Sequence, residues 1–289
     1  QCDWSSDVCS SDLVHKYAEG DEGVLALACG DLDGDAVAEV VTVTRQRVLQ
    51  VALRQGKVER QREARWDDVS PIAPVPLRQP LAFAVVVEGP GNRAGYLDVS
   101  LSDRRDSARL DAGLRLQASL EGTAVPHAGA SACSLIVTLE VGRLRHPCSA
   151  AELKPPLHDL SMRADAIASP LLVASDGSRH PVAALRRASD GALFVRTPEG
   201  SVVIGRVGAQ LAAGDIDQDG ALDLATTMDV LSAKHDALVV RTLLPSGTVK
   251  ERFQLPVPSG IEALALCPPD GGGRAPLVLA TGNEIWVVR

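Results

Sequence analysis

The sequence predicts an all-β protein, and three observations support this prediction. Short apolar runs rich in Val, Leu and Ala recur along the chain, among them EVVTVT (39–44), LAFAVVV (81–87) and ALFVRT (192–197). Clusters of Gly, Pro, Ser and Asp separate these runs, as in EGPGNRAG (88–95) and LPSG (244–247). Helical periodicity is nearly absent. This spacing is typical of many short antiparallel strands joined by tight turns.

Composition and charge limit the class of protein. The chain has 289 residues, of which 45% are hydrophobic and 23% are charged, and these values are ordinary for a globular chain with a sizeable core. No stretch reaches the roughly 18 consecutive apolar residues that a membrane-spanning helix needs. The net charge of −8 comes without a basic stripe, so nucleic acid is not an expected partner. We expect a monomer without a membrane span.

The first residues of the chain are not treated as part of the fold. Residues 3–13 read DWSSDVCSSDL, which resembles, codon for codon, a common sequencing adapter translated in frame. We therefore assign residues 1–13 to an artefactual tail and residues 14–289 to a single domain. On this interpretation the natural start of the chain, with any targeting signal, has been lost by truncation.

Internal repetition predicts the architecture. The segments that begin at Gly23, Val207 and Ile261 each contain an apolar strand, a loop rich in Gly with Asp or Pro, and a second apolar strand. Units of this kind begin near Val24, Leu81, Ser134, Ser169, Gln210 and Ile261. Four short strands per unit are typical of propeller blades. We therefore predict a β-propeller of about six recognisable four-stranded blades, or seven before truncation. If the natural start of the chain is missing, the last blade is incomplete and its edge is exposed.

Two stretches gather carboxylates at the same place in their repeat units. The first acidic loop is DLDGDAVAE (Asp31–Glu39), and the second acidic loop is DIDQDGALD (Asp215–Asp223). Such charges repel one another unless a cation lies between them. An EF-hand is excluded, because loop position 12 holds Thr42 or Thr226 instead of Glu and because both flanks are strand-like.

With these two loops the chain resembles the FG-GAP/VCBS repeat family, the calcium-loop propeller blades also found in the integrin α-subunit head. Blades of that family carry D-x-D-G-D-G-x-x-D between two strands, and the resemblance implies that Ca²⁺ is bound by the side chains at positions 1, 3, 5 and 9 and by the carbonyl at position 7. The implied ligands are Asp31, Asp33, Asp35, Val37 (carbonyl), Glu39, Asp215, Asp217, Asp219, Ala221 (carbonyl) and Asp223. Ala36 replaces the position-6 glycine that the second loop keeps as Gly220, so we expect weaker binding at the first loop. The alternative at either loop is an acidic turn without metal.

The cysteines outside the tail suggest one disulfide. Cys133 and Cys148 lie on either side of a strand-like segment, and in an oxidising compartment a disulfide between them is expected. Two free core thiols are the alternative. Cys29 and Cys267 stand at the same phase of their units, and we interpret them as small core residues while leaving a second disulfide open.

No residue pattern predicts a catalytic site. The sequence contains no nucleophile motif, phosphate-binding loop or zinc signature. The first functional hypothesis is a non-catalytic extracytoplasmic binding or scaffold propeller, stabilised by calcium, with a protein or glycan ligand and a periplasmic, secreted or cell-surface location. The second hypothesis is a calcium-dependent enzyme, a lyase or hydrolase, that degrades polysaccharide.

Overall fold

The structure is a computed structural model of the chain. It describes residues 13–18, 23–54, 57–69, 82–89, 93–101, 104, 106–121, 123–125, 135–138, 143–145, 164–168, 170–173, 179–197, 200–269, 274–282 and 284–288. Within these residues the fold is almost entirely β-structure. The helices are one α-helical turn, α1 (Trp66–Val69), and one 3-10 turn at Ala233–His235. None of the described helices is long and apolar enough to cross a membrane.

The strands are short, as the apolar runs predict. In chain order they are β1 (Leu13–Ala18), β2 (Ala26–Gly30), β3 (Glu39–Val43), β4 (Arg47–Arg54), β5 (Lys57–Arg65), β6 (Ala82–Val87), β7 (Tyr96–Leu101), β8 (Asp106–Asp111), β9 (Leu116–Glu121), β10 (Thr123–Val125), β11 (Leu135–Thr138), β12 (Arg143–Arg145), β13 (Ala164–Ala168), β14 (Leu171–Val173), β15 (Arg179–Pro181), β16 (Ala183–Arg187), β17 (Ala192–Thr197), β18 (Gly200–Arg206), β19 (Leu211–Gly214), β20 (Leu222–Thr227), β21 (Ala237–Leu243), β22 (Val249–Pro256), β23 (Ala263–Leu266), β24 (Leu277–Thr281) and β25 (Glu284–Val288).

Five sheets of four antiparallel strands form the blades of a β-propeller. Blade I contains β2 to β5, and blade II contains β6 to β9. Blade III contains β13 and β16 to β18, and blade IV contains β19 to β22. Blade V contains β23 to β25 together with β1 from the other end of the chain. The all-β class and the propeller fold predicted from the sequence are therefore confirmed.

The predicted number of blades is wrong, because the described residues form five four-stranded blades instead of six or seven. Between blades II and III the strands β10 to β12 make a sheet of only three strands. The unit predicted to start near Ser169 instead begins with β13, and the following apolar run forms the hairpin of β14 and β15 inserted before the second strand of blade III. An apolar rhythm alone does not distinguish an inserted hairpin from the start of a blade.

The core lies between neighbouring blades. The first strands of adjacent blades contact one another, β2 with β6 and β23, and β19 with β13 and β23. These strands are rich in Ala because they meet around the propeller axis, where space is limited. Larger side chains fill the wedge between blades farther out, as Trp66 of α1 and Leu97 of blade II do at the boundary of blades I and II. Burial against the next blade is therefore what holds each sheet in place.

The N-terminal part of the chain is linked to the C-terminal strands at two points. On the outside, β1 pairs antiparallel with β25, from Leu13 opposite Val288 onward, so the edge that the sequence predicts to be exposed is covered. The strand begins at the last residue of the segment assigned to the tail. On the inside, a disulfide links Cys29 of β2 to Cys267 directly after β23, with Cα atoms 4.8 Å apart. The interpretation of these two cysteines as unpaired core residues is corrected by this bond.

Candidate metal centres

The two acidic loops occupy the same position in their blades. Each loop connects the first and second strands, β2 to β3 in blade I and β19 to β20 in blade IV. The strand register is the same as well, because the glycine before each loop lies opposite the position-9 carboxylate residue, Gly30 opposite Glu39 and Gly214 opposite Asp223. The repeat phase inferred from the sequence therefore corresponds to a structural phase.

Each loop brings three carboxylates together. In the first acidic loop Asp31, Asp33 and Glu39 each offer one oxygen, and these oxygens lie within 4.8 Å of one another. Asp215, Asp217 and Asp223 make the equivalent cluster in the second acidic loop. Both clusters use loop positions 1, 3 and 9. Calcium coordinates oxygen ligands of this kind at 2.3–2.6 Å, so one ion could contact all three oxygens of a cluster.

The buried oxygens of the two clusters are not all satisfied. Glu39 is completely buried, and its Oε2 accepts a hydrogen bond from the Leu32 N–H at 2.8 Å, whereas its Oε1 has no hydrogen-bond partner. In the second loop the buried Oδ1 of Asp215 has no partner either. A buried carboxylate oxygen without a partner costs free energy. A cation within each cluster would satisfy the unpartnered oxygen of that cluster, so the donor sets fit Ca²⁺.

The environment of Glu39 favours its neutral form. The pKa of Glu39 is raised from 4.5 to about 7, chiefly by burial. The negative charges of Asp33, Asp35 and Asp31 contribute to this rise, and the hydrogen bond from the Leu32 N–H opposes it. At neutral pH this carboxyl is therefore close to half protonated unless a cation compensates its charge.

Two pKa values in the second acidic loop are raised as well. Burial raises the pKa of Asp215, against a hydrogen bond from the Gly220 N–H that lowers it. Burial likewise raises the pKa of Asp223, while hydrogen bonds from Thr242 and from the Ile216 N–H lower it. Repulsion from the exposed carboxylates of the loop raises both pKa values. The free energy of charging is thus unfavourable in both loops without a cation.

Side chains from the two outer strands of blade IV also contact the second acidic loop. Oδ1 of Asp223 accepts a hydrogen bond from the Thr242 hydroxyl of β21. The Thr242 oxygen in turn accepts one from Arg252 Nε of β22 at 2.8 Å. The guanidinium Nη2 of Arg252 lies 3.3 Å from Asp219 Oδ2 and 3.5 Å from Asp217 Oδ2. Sequence reasoning missed Arg252, since it stands 29 positions after the loop ends at Asp223.

Of the remaining predicted ligands, the two position-5 carboxylates are placed differently. The position-5 carboxylates are outside the clusters, since Asp35 Oδ1 accepts a hydrogen bond from the Val37 N–H at 2.9 Å and Asp219 Oδ1 accepts one from the Ala221 N–H at 2.8 Å. The carbonyls of Val37 and Ala221 stay predicted ligands. Asp270, which is the only acidic residue in the corresponding loop of blade V, lies outside the described residues.

Both loops hold two residues in the left-handed backbone conformation, at positions 4 and 6. In the first loop these are Gly34 (φ 83°) and Ala36 (φ 66°), and in the second loop they are Gln218 (φ 59°) and Gly220 (φ 84°). A residue with a Cβ is disfavoured there by roughly 1–2 kcal/mol. Each loop therefore departs from glycine once, and Ala36 by itself does not make the first loop the less favourable one.

The residue at position 2 connects each loop to the next blade. The Leu32 N–H donates to Glu39, and the Leu32 carbonyl accepts a hydrogen bond from the Gly95 N–H of blade II at 2.9 Å. In the second loop the Ile216 N–H donates to the position-9 carboxylate, and the Ile216 carbonyl accepts one from the Ala275 N–H of blade V at 2.9 Å. The conformation of each loop is thereby linked to the boundary between two blades.

The glycine before each loop lies at the same boundary. A Cβ on Gly30 would be 2.8 Å from Val86 Cγ1 of blade II, and a Cβ on Gly214 would be 2.4 Å from Leu266 Cδ2 of blade V. Only glycine allows the neighbouring blade to approach this closely without a rearrangement. The close approach and the hydrogen bond at position 2 together make each acidic loop part of a blade-to-blade contact.

The cysteine pair predicted from the sequence lies outside the described residues. Cys133 and Cys148 therefore stay a predicted disulfide. Within the described residues, the disulfide Cys29–Cys267 joins cysteines 238 positions apart. The equal phase of these two cysteines in their repeat units was the available signal, because equal phase in the first and last blades of a closed ring brings residues together.

Comparisons with known proteins agree with the fold. No model of a known protein family matches the chain, and no curated protein matches it. The chain resembles AofleA from Arthrobotrys oligospora, with a TM-score of 0.53 and 11% identity over 95% of this chain and 86% of that chain. It also resembles BBS1N, solved in complex with ARL6DN, with a TM-score of 0.50 and 14% identity over 95% of this chain and 83% of that chain.

A third similar structure is itself a β-propeller. It is the β-propeller domain of Cps50 (Swd1) from Myceliophteria thermophila, with a TM-score of 0.50 and 13% identity over 91% of this chain and 82% of that chain. At such identities the likeness shows the propeller fold alone.

Proposed function

We propose that the protein is a non-catalytic, extracytoplasmic binding or scaffold propeller of the FG-GAP/VCBS type, stabilised by calcium at its two acidic loops. The observation that carries this proposal is Glu39, a completely buried carboxyl group with one unpartnered oxygen that lies among Asp31 and Asp33. Burial of a carboxylate in this way is unfavourable unless a cation is bound. Asp31, Asp33 and Glu39 would hold one Ca²⁺, and Asp215, Asp217 and Asp223 would hold the other.

The proposed role of calcium is to stabilise the contacts between blades. A bound ion would fix the position-9 carboxylate, which accepts the N–H of Leu32 or Ile216. The carbonyls of these same residues accept hydrogen bonds from the next blade. Metal bound only by the folded state stabilises it by mass action, by about 2.7 kcal/mol at a hundredfold excess over Kd. Calcium would thus oppose separation of blade I from blade II and of blade IV from blade V.

The proposed compartment follows from the disulfide and the type of metal ligand. Disulfides persist in the periplasm and outside the cell but are rare in reducing compartments, and Cys29–Cys267 joins the two ends of the ring. Calcium loops of extracellular modules bind in the 10⁻⁴–10⁻³ M range, where the cytosolic calcium concentration would not fill them. A digest of the unreduced protein should contain one peptide pair linked through these two cysteines, and its absence would contradict the assignment.

For the binding partner we propose only a chemical class. A protein or a glycan that binds to the loops of one propeller face is in keeping with the fold, which presents many loops on a rigid frame. No observation on the described residues favours the alternative of a polysaccharide-degrading enzyme. We therefore argue for the binding or scaffold function.

Thermal unfolding with and without calcium tests the proposal. At a hundredfold excess over Kd, one site should raise the Tm of a chain of this size by about 4–5 °C relative to protein in a chelator. Asp33→Ala and Asp217→Ala should each remove part of this increase, and Asp33→Ala should leave the Tm in chelator nearly unchanged. Asp68→Ala, at an exposed residue of α1, is the matched control. A parent Tm that does not respond to chelation would show that these loops are acidic turns.

A further inference from the structure

Arg252 differs from the other charged side chains of blade IV because a β-bulge places it. In the pairing of β21 with β22, Val240 lies opposite Phe253 and Arg241 lies opposite Glu251. Arg252 therefore has no cross-strand partner. Its side chain, 35% exposed, extends to the second acidic loop. A bulge of this kind typically redirects a side chain.

The guanidinium of Arg252 interacts with three of the carboxylates of the second loop. It lies 3.3 Å from Asp219 and 3.5 Å from Asp217. It reaches Asp223 indirectly, since it donates to the Thr242 oxygen at 2.8 Å and the Thr242 hydroxyl donates to Asp223. Arginine keeps its charge at every relevant pH. One fixed positive charge therefore lies at the exposed side of this cluster.

The two corresponding positions of blade I hold uncharged residues. Blade I carries the same bulge, because Gln50 lies opposite Arg62 and Val51 lies opposite Arg60. The bulged residue that corresponds to Arg252 is Gln61, which is neutral. The residue opposite Glu39, which corresponds to Thr242, is Ala52 and has no hydroxyl group.

We propose that Arg252 sets the calcium affinity of the second acidic loop: its guanidinium neutralises Asp217 and Asp219 when calcium is absent and competes with calcium for Asp217. The inference rests on the proposed calcium binding. Since Asp217 must leave the guanidinium or share its charge when Ca²⁺ binds, the Coulomb energy of that contact is subtracted from the binding energy. The second loop is then ordered without metal at the cost of tight binding.

Calcium titration of matched variants by calorimetry tests this inference. In an Asp33→Ala background, which leaves only the second loop able to bind, Arg252→Gln should lower the calcium Kd by about twofold to fivefold, as expected for loss of a partly exposed ion pair. The same substitution should lower the Tm in chelator. Arg206→Gln removes the same charge from a pair with Asp229 outside both loops and should change neither quantity.

The reciprocal measurement introduces an arginine at the corresponding position of blade I. In an Asp217→Ala background, where only the first loop binds, Gln61→Arg should raise the calcium Kd by a similar factor. A Kd that Arg252→Gln leaves unchanged or raises would overturn the inference, as would an equal effect of Arg206→Gln, which would indicate net charge alone. Calcium binding by the parent protein with no effect of Arg252→Gln overturns only this inference, whereas absence of calcium binding overturns the proposed function as well.

Discussion

The two acidic loops share a pattern, a strand register and a place in their blades, yet they compensate their charge in different ways. In the first loop the position-9 residue, Glu39, is completely buried and keeps an unpartnered oxygen. In the second loop the position-9 residue, Asp223, is buried with both oxygens hydrogen-bonded, one to the Ile216 N–H and one to Thr242. Arg252 adds a positive charge there. On the proposed calcium binding, the carboxylates within a motif would define where the cation binds, and the neighbouring strands would define how much the loop depends on it.

The largest difference between the loops should appear on neutralisation of the position-9 carboxylate. Glu39→Gln should weaken calcium binding at the first loop by about a hundredfold or more, because a ligand charge is lost. In chelator the same variant should be more stable than the parent by about 1–3 kcal/mol, since an uncompensated buried charge is removed. Both quantities are measurable by calorimetry and by urea unfolding.

Asp223→Asn should behave in the opposite way in chelator. An amide nitrogen in place of Oδ2 would face the Ile216 N–H, and one in place of Oδ1 would remove the acceptor of the Thr242 hydroxyl proton. The protein should therefore lose about 1–3 kcal/mol of stability without calcium. If both variants change the stability in chelator with the same sign, the distinction between an unsatisfied and a satisfied position-9 carboxylate is wrong.

The pH dependence in chelator should reflect the same difference. Glu39 has a pKa of about 7 in the folded protein and 4.5 as its ordinary value, so between these values the folded state binds more protons than the unfolded state. Its contribution to stability is fully present below about pH 4.5 and is lost as the pH rises through 7. The Tm in chelator should fall from pH 5 to pH 8, and Glu39→Gln should reduce this slope.

Calcium should reverse that slope, because metal binding requires deprotonated carboxylates. The raised pKa values of Asp215 and Asp223 act in the same direction as that of Glu39. The carboxyl of Asp190, whose pKa is lowered to about 2 by Arg187, titrates below this pH window and does not disturb the measurement. A Tm in chelator that rises between pH 5 and pH 8 would contradict the buried position of Glu39.

Much of the fold and the centre of each site could be predicted from the sequence. The predicted unit starts near Val24, Leu81, Gln210 and Ile261 lie within two residues of the first strands of their blades, because short apolar runs between turn clusters define strands locally. The carboxylates at positions 1, 3 and 9 come together as the loop pattern predicts. These features depend on residues close together in the chain.

The features that could not be predicted depend on distant parts of the chain. The Cys29–Cys267 bond spans 238 positions and requires a closed ring. Arg252 reaches the second loop because of a bulge that only the pairing of β21 with β22 defines. The hairpin of β14 and β15 resembles the start of a blade in its apolar pattern, and only sheet pairing separates the two. Local composition carries no information about any of these three arrangements.

The smallest expected effect tests whether the two loops carry equal backbone strain. Ala36 and Gln218 both adopt positive φ values, 66° and 59°. Replacing either residue by Gly should relieve the strain of the left-handed conformation and add flexibility to the unfolded chain, for a net gain of about 0.5–1 kcal/mol. We therefore expect Ala36→Gly and Gln218→Gly to raise the urea midpoint by similar amounts, with the m-value unchanged.

The reciprocal substitutions at the glycines of the same loops supply the controls. Gly34→Ala and Gly220→Ala, at φ values of 83° and 84°, should each lower the urea midpoint, because a Cβ is added where the backbone is left-handed. A gain from Ala36→Gly without a gain from Gln218→Gly would restore the sequence-based ranking, in which only the first loop is compromised. Equal gains would show that backbone strain does not distinguish the two loops. The proposed difference in calcium dependence would then rest on the charge environment, which is set by Glu39 in the first loop and by Arg252 in the second.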